Sequence, residues 1–180
     1  MKKIKLQMVY FLLATINIGS RLVVFFAIRK LWLNIFNIKI GKESAIHSSV
    51  KFYHIGNFKL GNNSTINHGC IIDNRKRILI GDNVNISQGT KIYTLGHDID
   101  SETFIAIGNP VIIEDYVCIF SHSIICPGVT LKKGAVVMPG SVVVKDVGAY
   151  EVVGGNPAKF IRKRNDNLSY KIDYRYWFAL

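Results

Sequence analysis

A six-residue repeat of apolar residues runs through the sequence from residue 40 onward and constrains the fold more than any other feature. A helix of about 3.6 residues per turn would rotate marks spaced six apart off any single face, whereas short strands joined by tight turns keep them aligned. The series breaks after Ile92 and resumes at Ile113 without a slip. Its fifteen lead positions are Ile40, Ile46, Phe52, Leu60, Ile66, Ile72, Ile80, Ile86, Ile92, Ile113, Ile119, Ile125, Leu131, Val137 and Val143.

The residue four places after the lead position is small or β-branched in most hexads, as at Ser44, Thr90 and Val129. β-Branched residues favour strands, and Gly, Asn and Asp cluster where turns are needed. We therefore predict an all-β domain of about five stacked coils, each made of three short strands, with the lead residues pointing inward. The steps from Phe52 to Leu60 and from Ile72 to Ile80 are eight residues, so one corner carries two extra residues in successive coils.

The step from Ile92 to Ile113 is twenty-one residues, so an insertion of fifteen remains after one hexad is subtracted. Long insertions in a compact repeat are usually functional. His97 stands at the start of this insertion and is our candidate general base, because a neutral imidazole accepts a proton near neutral pH. Asp98 and Asp100 are candidates for orienting its ring, with solvated loop acids as the alternative. The other four histidines lack this context and are interpreted as surface or core residues: His47, His54, His68 and His122.

The net charge of +11 and the isoelectric point near 9.7 favour an anionic partner, which could be a membrane surface, a phosphorylated small molecule or nucleic acid. Nucleic acid is not favoured, because the basic residues surround no aromatic motif or recognition helix. Cys70, Cys118 and Cys126 form no CxxC pair and are odd in number, which argues against a disulfide framework and a zinc site. We expect a cytoplasmic protein with reduced thiols and no metal requirement.

Residues 1–39 are basic and apolar, and eight Lys and Arg but no acid precede Glu43. We predict a helical segment and leave two roles open. It could lie in the interface of the inner face of the cytoplasmic membrane, with contact through residues 1–30, or cap the end of the main fold. The expected organisation is this segment, a β-helix over residues 40–153 with a loop insertion at about 97–111, and a C-terminal part over residues 154–180.

Two segments at the end of the hexad series are PGSVVVKD, from Pro139 to Asp146, and VGGNPAKFIR, from Val153 to Arg162. Together with the hexads and the segment TLGH that ends at His97, they resemble the hexapeptide-repeat acyltransferases. The resemblance is closest to galactoside-type, maltose-type and surface-polysaccharide sugar O-acetyltransferases. It implies a left-handed parallel β-helix, acetyl-CoA as the co-substrate, and a homotrimer with CoA in the groove between adjacent chains.

The same resemblance implies roles for individual residues. His97 would be the catalytic base, and Asn67 would stabilise the transition state and contact the acceptor. Asp73 and Asp98 are further candidates for binding the acceptor sugar. The candidates for the pantetheine arm of CoA are Ser121, Pro139 and Val144, and those for its nucleotide end are Lys145, Lys159 and Arg162.

The implied function is acetyl transfer to a sugar hydroxyl, in a lipid-linked or nucleotide-linked precursor of a capsule, O-antigen or exopolysaccharide. Two alternatives stay open: N-acetylation of a nucleotide-linked amino sugar, and a catalytically silent β-helix that serves as an assembly or binding module. A deprotonated amine needs less activation than a hydroxyl, so loss of His97 should damage N-acetylation less. The aromatic, basic tail from Leu168 to Leu180 could stack on a sugar, contact the membrane or cover the end of the β-helix, and the last of these is our expectation.

Overall fold

The computed structural model describes residues 2–174 and 177–178, and its centre is a parallel β-helix with three faces. Each coil contributes one strand to each face, and a hairpin interrupts the series after the third coil. In chain order the strands are β1 (Ile38–Ile40), β2 (Ala45–Ile46), β3 (Lys51–Phe52), β4 (Phe58–Leu60), β5 (Thr65–Ile66), β6 (Ile71–Ile72), β7 (Ile78–Ile80), β8 (Asn85–Ile86), β9 (Lys91–Ile92), β10 (Gly96–His97), β11 (Ala106–Ile107), β12 (Val111–Ile113), β13 (Cys118–Ile119), β14 (Ile124–Ile125), β15 (Thr130–Leu131), β16 (Val136–Val137), β17 (Val142–Val143), β18 (Glu151–Gly155) and β19 (Ala158–Lys163).

The three faces run along the molecule from the first coil to the last. Face 1 contains β1, β4, β7, β12 and β15, and face 3 contains β3, β6, β9, β14 and β17. Face 2 contains β2, β5, β8, β13, β16 and β18, and β19 adds an antiparallel strand to its end. Val147 bridges to Leu131 and begins a sixth coil, which β18 continues. We call the three edges corner 1–2, corner 2–3 and corner 3–1.

The lead residues of the hexads form the core, as the sequence predicts. Equivalent positions pair in register along each face; on face 2, for example, Ile66 pairs with Ile86 and Ile86 with Ile119. All fifteen lead positions are buried, with at most 9% of any residue exposed. Each fully buried aliphatic side chain stabilises the fold by about 1.5–3 kcal/mol through the area that it removes from water.

Two helices, α1 (Lys2–Leu22) and α2 (Phe26–Ile35), close the open end of the first coil. Ile16 and Leu33 are fully buried in the same core as the hexads. The side chain of Asn17 exchanges two hydrogen bonds with the backbone of Phe52, at 2.9 and 3.0 Å, and so satisfies a free strand edge. Arg29 is fully buried and donates to the carbonyl of Ile46. These contacts favour the capping role for the N-terminal segment.

Neither helix in the described part of the chain has the length and apolar character that crossing a bilayer requires. Of the two roles left open for the N-terminal segment, capping accounts for its buried face.

Residues 164–174 and 177–178, the described part of the C-terminal tail, do not cover the end of the β-helix, so that expectation is wrong for these residues. After β19 the tail turns back and runs along corner 1–2, where Arg164 donates its backbone N–H to Tyr150. Further along, the Tyr170 hydroxyl lies 3.4 Å from the Tyr116 carbonyl, and the Ile172 N–H lies 3.4 Å from Asn83 Oδ1. The corner residues present polar atoms along one edge, and the extended tail pairs with them coil by coil.

Candidate active site

The insertion after the third coil folds as a short β-hairpin that projects from corner 3–1. Its strands, β10 and β11, pair Gly96 with Ile107 and His97 with Ala106. His97 Nδ1 lies 2.8 Å from the backbone carbonyl oxygen of Phe104, and the two aromatic rings stack at 4.3 Å with an interplanar angle of 3°. The hairpin therefore fixes both the position and the plane of the imidazole.

The hydrogen bond to Phe104 also selects the tautomer of His97. A carbonyl oxygen only accepts, so Nδ1 must carry the proton that it donates. In the neutral ring Nε2 then has the free lone pair, and the His97 residue is exposed to solvent. This is the state in which an imidazole can remove a proton from a hydroxyl group.

The two acids after His97 do not orient its ring. The Asp98 carboxylate accepts a hydrogen bond from the backbone N–H of Asp100 at 3.0 Å, and the Asp98 N–H donates to the carbonyl of Ile105. Asp98 therefore shapes the turn of the hairpin, while the carbonyl of Phe104 occupies the place expected for an orienting acid. The role of Asp98 in binding an acceptor sugar stays a prediction.

Asp73 supports the base of the hairpin, and this corrects the expectation that its side chain binds the acceptor. It is fully buried, and its two carboxylate oxygens accept bonds of 2.7 and 2.8 Å from the guanidinium of Arg75. Burial by itself would raise the pKa of Asp73, but the hydrogen bonds and charge of Arg75 outweigh it and lower the pKa. Thr94, three residues before His97, donates its hydroxyl to the Asp73 carbonyl at 2.6 Å and accepts from the Lys76 N–H.

Asn67, Ser121 and Pro139 lie at corner 2–3, one after each of three face-2 strands. The side-chain amide of Asn67 donates to the carbonyl of Ile86 at 3.0 Å, which holds it against the next coil. The backbone N–H of Gly140 donates to the carbonyl of Ser121 and links two neighbouring coils at this corner. Asn67 therefore follows face 2, whereas His97 follows face 3, and one chain does not bring the two to the same corner.

The other predicted CoA residues divide between two regions. Val144 and Lys145 follow β17 at corner 3–1, on the same edge as the His97 hairpin, and both are exposed. Lys159 and Arg162 are exposed on β19, where they pair with Gly154 and Val152. A cleft of about 420 Å³ lies outside face 2 and is lined by Cys118, Phe120, Val136, Met138, Val152, Arg162, Arg164 and Tyr170.

This cleft suits an anionic ligand with an apolar arm. Its walls combine two cations, Arg162 and Arg164, with the exposed side chains of Phe120 and Met138. Of the predicted CoA residues, Arg162 lines the cleft, while Ser121 and Pro139 directly follow the lining residues Phe120 and Met138 in the chain. Arg164 and Tyr170 were not predicted, because only the folded-back tail brings them here. Phe104 was also missed, since the pairing of a loop does not follow from the hexad pattern.

The three cysteines are free and play no part in these clusters except Cys118, which lines the cleft. Burial raises the pKa of Cys70 to about 11 and also raises the pKa values of Cys118 and Cys126. Within residues 2–174 and 177–178 no three His, Cys, Asp or Glu side chains are grouped as metal ligands.

Comparison with known proteins places the chain among acetyltransferases. No protein-family model matches it. Galactoside O-acetyltransferase of Escherichia coli is 31% identical over 142 residues, which cover 77% of this chain and 68% of that enzyme. WcaF of Escherichia coli, provisionally named a colanic acid biosynthesis acetyltransferase, is 33% identical over 161 residues, which cover 89% of this chain and 88% of WcaF.

Two further similarities are informative. A provisionally named acetyltransferase of Saccharomyces cerevisiae is 39% identical over 122 residues, or 66% of this chain, and the chain spans 62% of the length of that longer protein. Among solved structures, a hexapeptide-repeat acetyltransferase of Vibrio cholerae in complex with acetyl-CoA has a TM-score of 0.81 and 28% identity, and the similarity covers 85% of each chain.

Proposed function

Because the chain belongs to the hexapeptide-repeat acetyltransferases, we propose that it transfers an acetyl group from acetyl-CoA to a hydroxyl group of a sugar. The similar proteins confirm three predictions: membership of this family, the left-handed parallel β-helix, and an acyltransferase with acetyl-CoA as co-substrate. The choice of a sugar hydroxyl is supported by the galactoside O-acetyltransferase of Escherichia coli. The observation that carries the proposal is the bond between His97 Nδ1 and the Phe104 carbonyl.

In the proposed reaction His97 moves one proton twice. Nε2 accepts the proton of the sugar hydroxyl as the sugar oxygen bonds to the acetyl carbon. The imidazolium that forms keeps its bond to the Phe104 carbonyl, which stabilises the positive charge. When the tetrahedral species collapses, the carbon–sulfur bond breaks, and His97 returns the proton to the CoA sulfur. Atoms and charge therefore balance without a metal.

The acetyl oxygen gains negative charge in this step and needs a hydrogen-bond donor. We assign this role to Asn67, whose amide is positioned by its bond to Ile86. Since His97 and Asn67 lie at different corners of one chain, the assignment requires a second chain. A homotrimer would meet this requirement if corner 2–3 of one copy adjoins corner 3–1 of the next, because three-fold symmetry then creates three equivalent sites.

The residues around the cleft fit the co-substrate. Arg162, with Lys159 nearby on β19, would bind the phosphates, and Ser121 and Pro139 would line the arm together with Phe120. Val144 and Lys145 would contact the co-substrate from the edge that carries His97. The acceptor that we propose is a sugar in a precursor of a bacterial surface polysaccharide, in line with the colanic acid assignment of WcaF.

The direct test measures CoA release with hydroxyl sugars and amino sugars as acceptors, for wild type and His97→Ala. We expect turnover with a hydroxyl sugar and a fall of about 10²–10⁴-fold in His97→Ala. His54→Ala is the matched control, because His54 Nδ1 also contacts a backbone carbonyl, that of Ile55 at 2.7 Å, but lies outside the hairpin. Turnover with amino sugars alone, little affected by His97→Ala, would favour N-acetylation. No CoA binding and no turnover would favour the silent module.

The shared site has its own test. Chains carrying His97→Ala and chains carrying Asn67→Ala are each expected to be nearly inactive. When they are unfolded, mixed equally and refolded together, random trimers should regain about a quarter of the wild-type activity, since one interface in four joins an intact His97 to an intact Asn67. Recovery of no activity in well-folded mixed trimers would place both residues in sites within single chains, and an Asn67→Ala chain that is active by itself would remove Asn67 from the mechanism.

A further inference from the structure

The outer face of α1 is an exposed apolar stripe at helical spacing. Ile4, Met8, Phe11, Ile18 and Leu22 are between 58% and 74% exposed, whereas Ile16 and Ser20 on the opposite side are buried. Steps of three, four and seven residues place these five side chains on one face of a helix. The helix thus has one apolar face for the β-helix and a second one with nothing packed on it in the described chain.

The outer face of α2 repeats this arrangement. Ile28, Leu31 and Ile35 are 54%, 66% and 74% exposed, while Arg29 and Leu33 are fully buried against the first coil. Single exposed apolar residues are ordinary on protein surfaces, but a contiguous set on two adjoining helices marks an interaction site.

The C-terminal tail extends the same surface. After running along corner 1–2 it reaches the junction of the two helices, where the Phe26 N–H donates to the carbonyl of Trp177 at 3.2 Å. The rings of Phe25 and Phe178 lie 5.1 Å apart. Trp177 remains 76% exposed and Phe178 54% exposed. We call the exposed apolar side chains of α1, α2 and residues 177–178 the terminal face.

The charge around the terminal face is predominantly positive, with Glu43 close enough to Lys30 of α2 to interact with its charge. Residues 1–42 contain eight Lys and Arg and no Asp or Glu. Lys3 and Arg21 are exposed on α1, and Lys39 and Lys42 follow α2. Contact between two terminal faces would bring these cations together without any acid from the same segment, which is unfavourable. An anionic surface neutralises them.

We propose that the terminal face docks on an anionic lipid bilayer, with both helices lying in the interface and Trp177 at headgroup depth. Amphipathic basic helices bind in this way, and the amphipathic ring of tryptophan prefers the same depth. Docking does not depend on the proposed acetyl transfer, but together with it the location favours a lipid-linked sugar as the acceptor. The β-helix then stands on the membrane by its capped end.

Trp177 allows a direct measurement, because the chain has only two tryptophans. The other, Trp32, is half-buried, makes an edge-to-face contact with Phe36, and donates its indole N–H to the carbonyl of Ile16 at 3.3 Å. In Trp32→Phe, emission comes from Trp177 alone. Vesicles of phosphatidylcholine with about 30% anionic phosphatidylglycerol should shift this emission to the blue. Lipids brominated near the headgroup should quench it. Trp177→Phe, which keeps Trp32, is the control and should show neither effect.

Sedimentation with the same vesicles tests the helices. Phe11→Glu and Ile18→Glu should each weaken binding by at least about tenfold, because each removes an apolar side chain from the bilayer and adds a charge. Ile161→Glu is the matched control: Ile161 is 56% exposed on β19, at the other end of the β-helix, and its substitution should leave vesicle binding unchanged.

The outcomes separate the proposal from its alternatives. The proposal is overturned if wild type does not bind anionic vesicles, or if Ile161→Glu weakens binding as much as Phe11→Glu does. A blue shift of Trp177 that depends on protein concentration without lipid would instead identify a second copy of the chain as the occupant. Turnover with a water-soluble acceptor, measured in Phe11→Glu, reports on the acetyl transfer separately, since this residue lies outside the site.

Discussion

The ion pair beneath the hairpin should make a measurable and pH-dependent contribution to stability, which Asp73→Asn would remove. Asparagine keeps the shape of the side chain, but it replaces an acceptor of the Arg75 guanidinium by a donor. Hydrogen bonds to a charged group contribute about 1.5–3 kcal/mol. The Arg75 side chain is 41% exposed and can be solvated when its partner is lost, so we expect a value toward the lower end, about 2 kcal/mol.

The sign of the pH dependence follows from the lowered pKa of Asp73. A carboxyl group whose pKa falls on folding adds stability above its unfolded pKa, which is about 3.9, and loses that stability as the pH falls through the folded value. The difference in the free energy of unfolding between wild type and Asp73→Asn should therefore have its full value at pH 7 and become smaller below about pH 4. Urea unfolding at several pH values measures it directly.

A thermal scan gives a second reading of the same variant. At about 2–4 °C per kcal/mol for a chain of this size, the expected drop in Tm at pH 7 is about 4–8 °C. Asp100→Asn is the control, because the Asp100 carboxylate is exposed in the hairpin, and its substitution should change stability by less than about 0.5 kcal/mol. A difference between wild type and Asp73→Asn that stays constant from pH 7 to pH 3 would refute the ion pair as its source.

Four further outcomes are expected. Ile86→Ala should lower the free energy of unfolding by about 2–5 kcal/mol in urea titrations, because Ile86 is fully buried between two equivalent residues of its column. Cys70, with its raised pKa of about 11 and no exposed surface, should react with a thiol reagent only after unfolding, as timed labelling would detect. Gly89→Ala should destabilise by at least about 1 kcal/mol, since its φ of +68° disfavours a side chain and the added Cβ would lie 2.4 Å from a histidine ring; Tm measures it. Phe104→Ala keeps the carbonyl but removes the stacked ring, so turnover should fall about 2–10-fold, far less than in His97→Ala.

The core could be predicted from the sequence because every coil repeats the same requirement. In each strand one lead residue must fill the narrow interior of the β-helix, and most strands meet this requirement at a spacing of six residues. Ile46 and Val137 therefore carry the same signal although they lie far apart in the sequence. The insertion that begins at His97 could be predicted for the same reason, because it is the one long interruption of the hexad series. The composition of the N-terminal segment also predicted helices there, but it could not distinguish the helix face that packs on the β-helix from the face that is exposed.

The site could be predicted only in part, because its geometry depends on pairing that leaves no periodic trace. Phe104 contacts His97 through a backbone carbonyl, which any residue could supply. Asp73 has the residue type expected of a substrate ligand, and only its bidentate contact with Arg75 reveals that it is occupied. The sequence alone identified Asp73 as an acid and Phe104 as part of the loop after His97. Only the hydrogen bonds in the structure show what each of the two residues does.

The tail shows how a segment without a motif acquires a role from the fold alone. Its aromatic, basic composition is compatible with stacking on a sugar, covering an end or touching a membrane. The path of the tail is set by hydrogen-bond donors and acceptors that successive turns present at corner 1–2, such as Asn83 Oδ1. An extended chain can follow these groups back to the first coil. Because this path returns residues 177–178 to the helices, the two ends of the chain build one surface. A truncation that removes the tail would therefore alter the terminal face and the cleft together, so point substitutions such as Trp177→Phe separate the two better than deletions do.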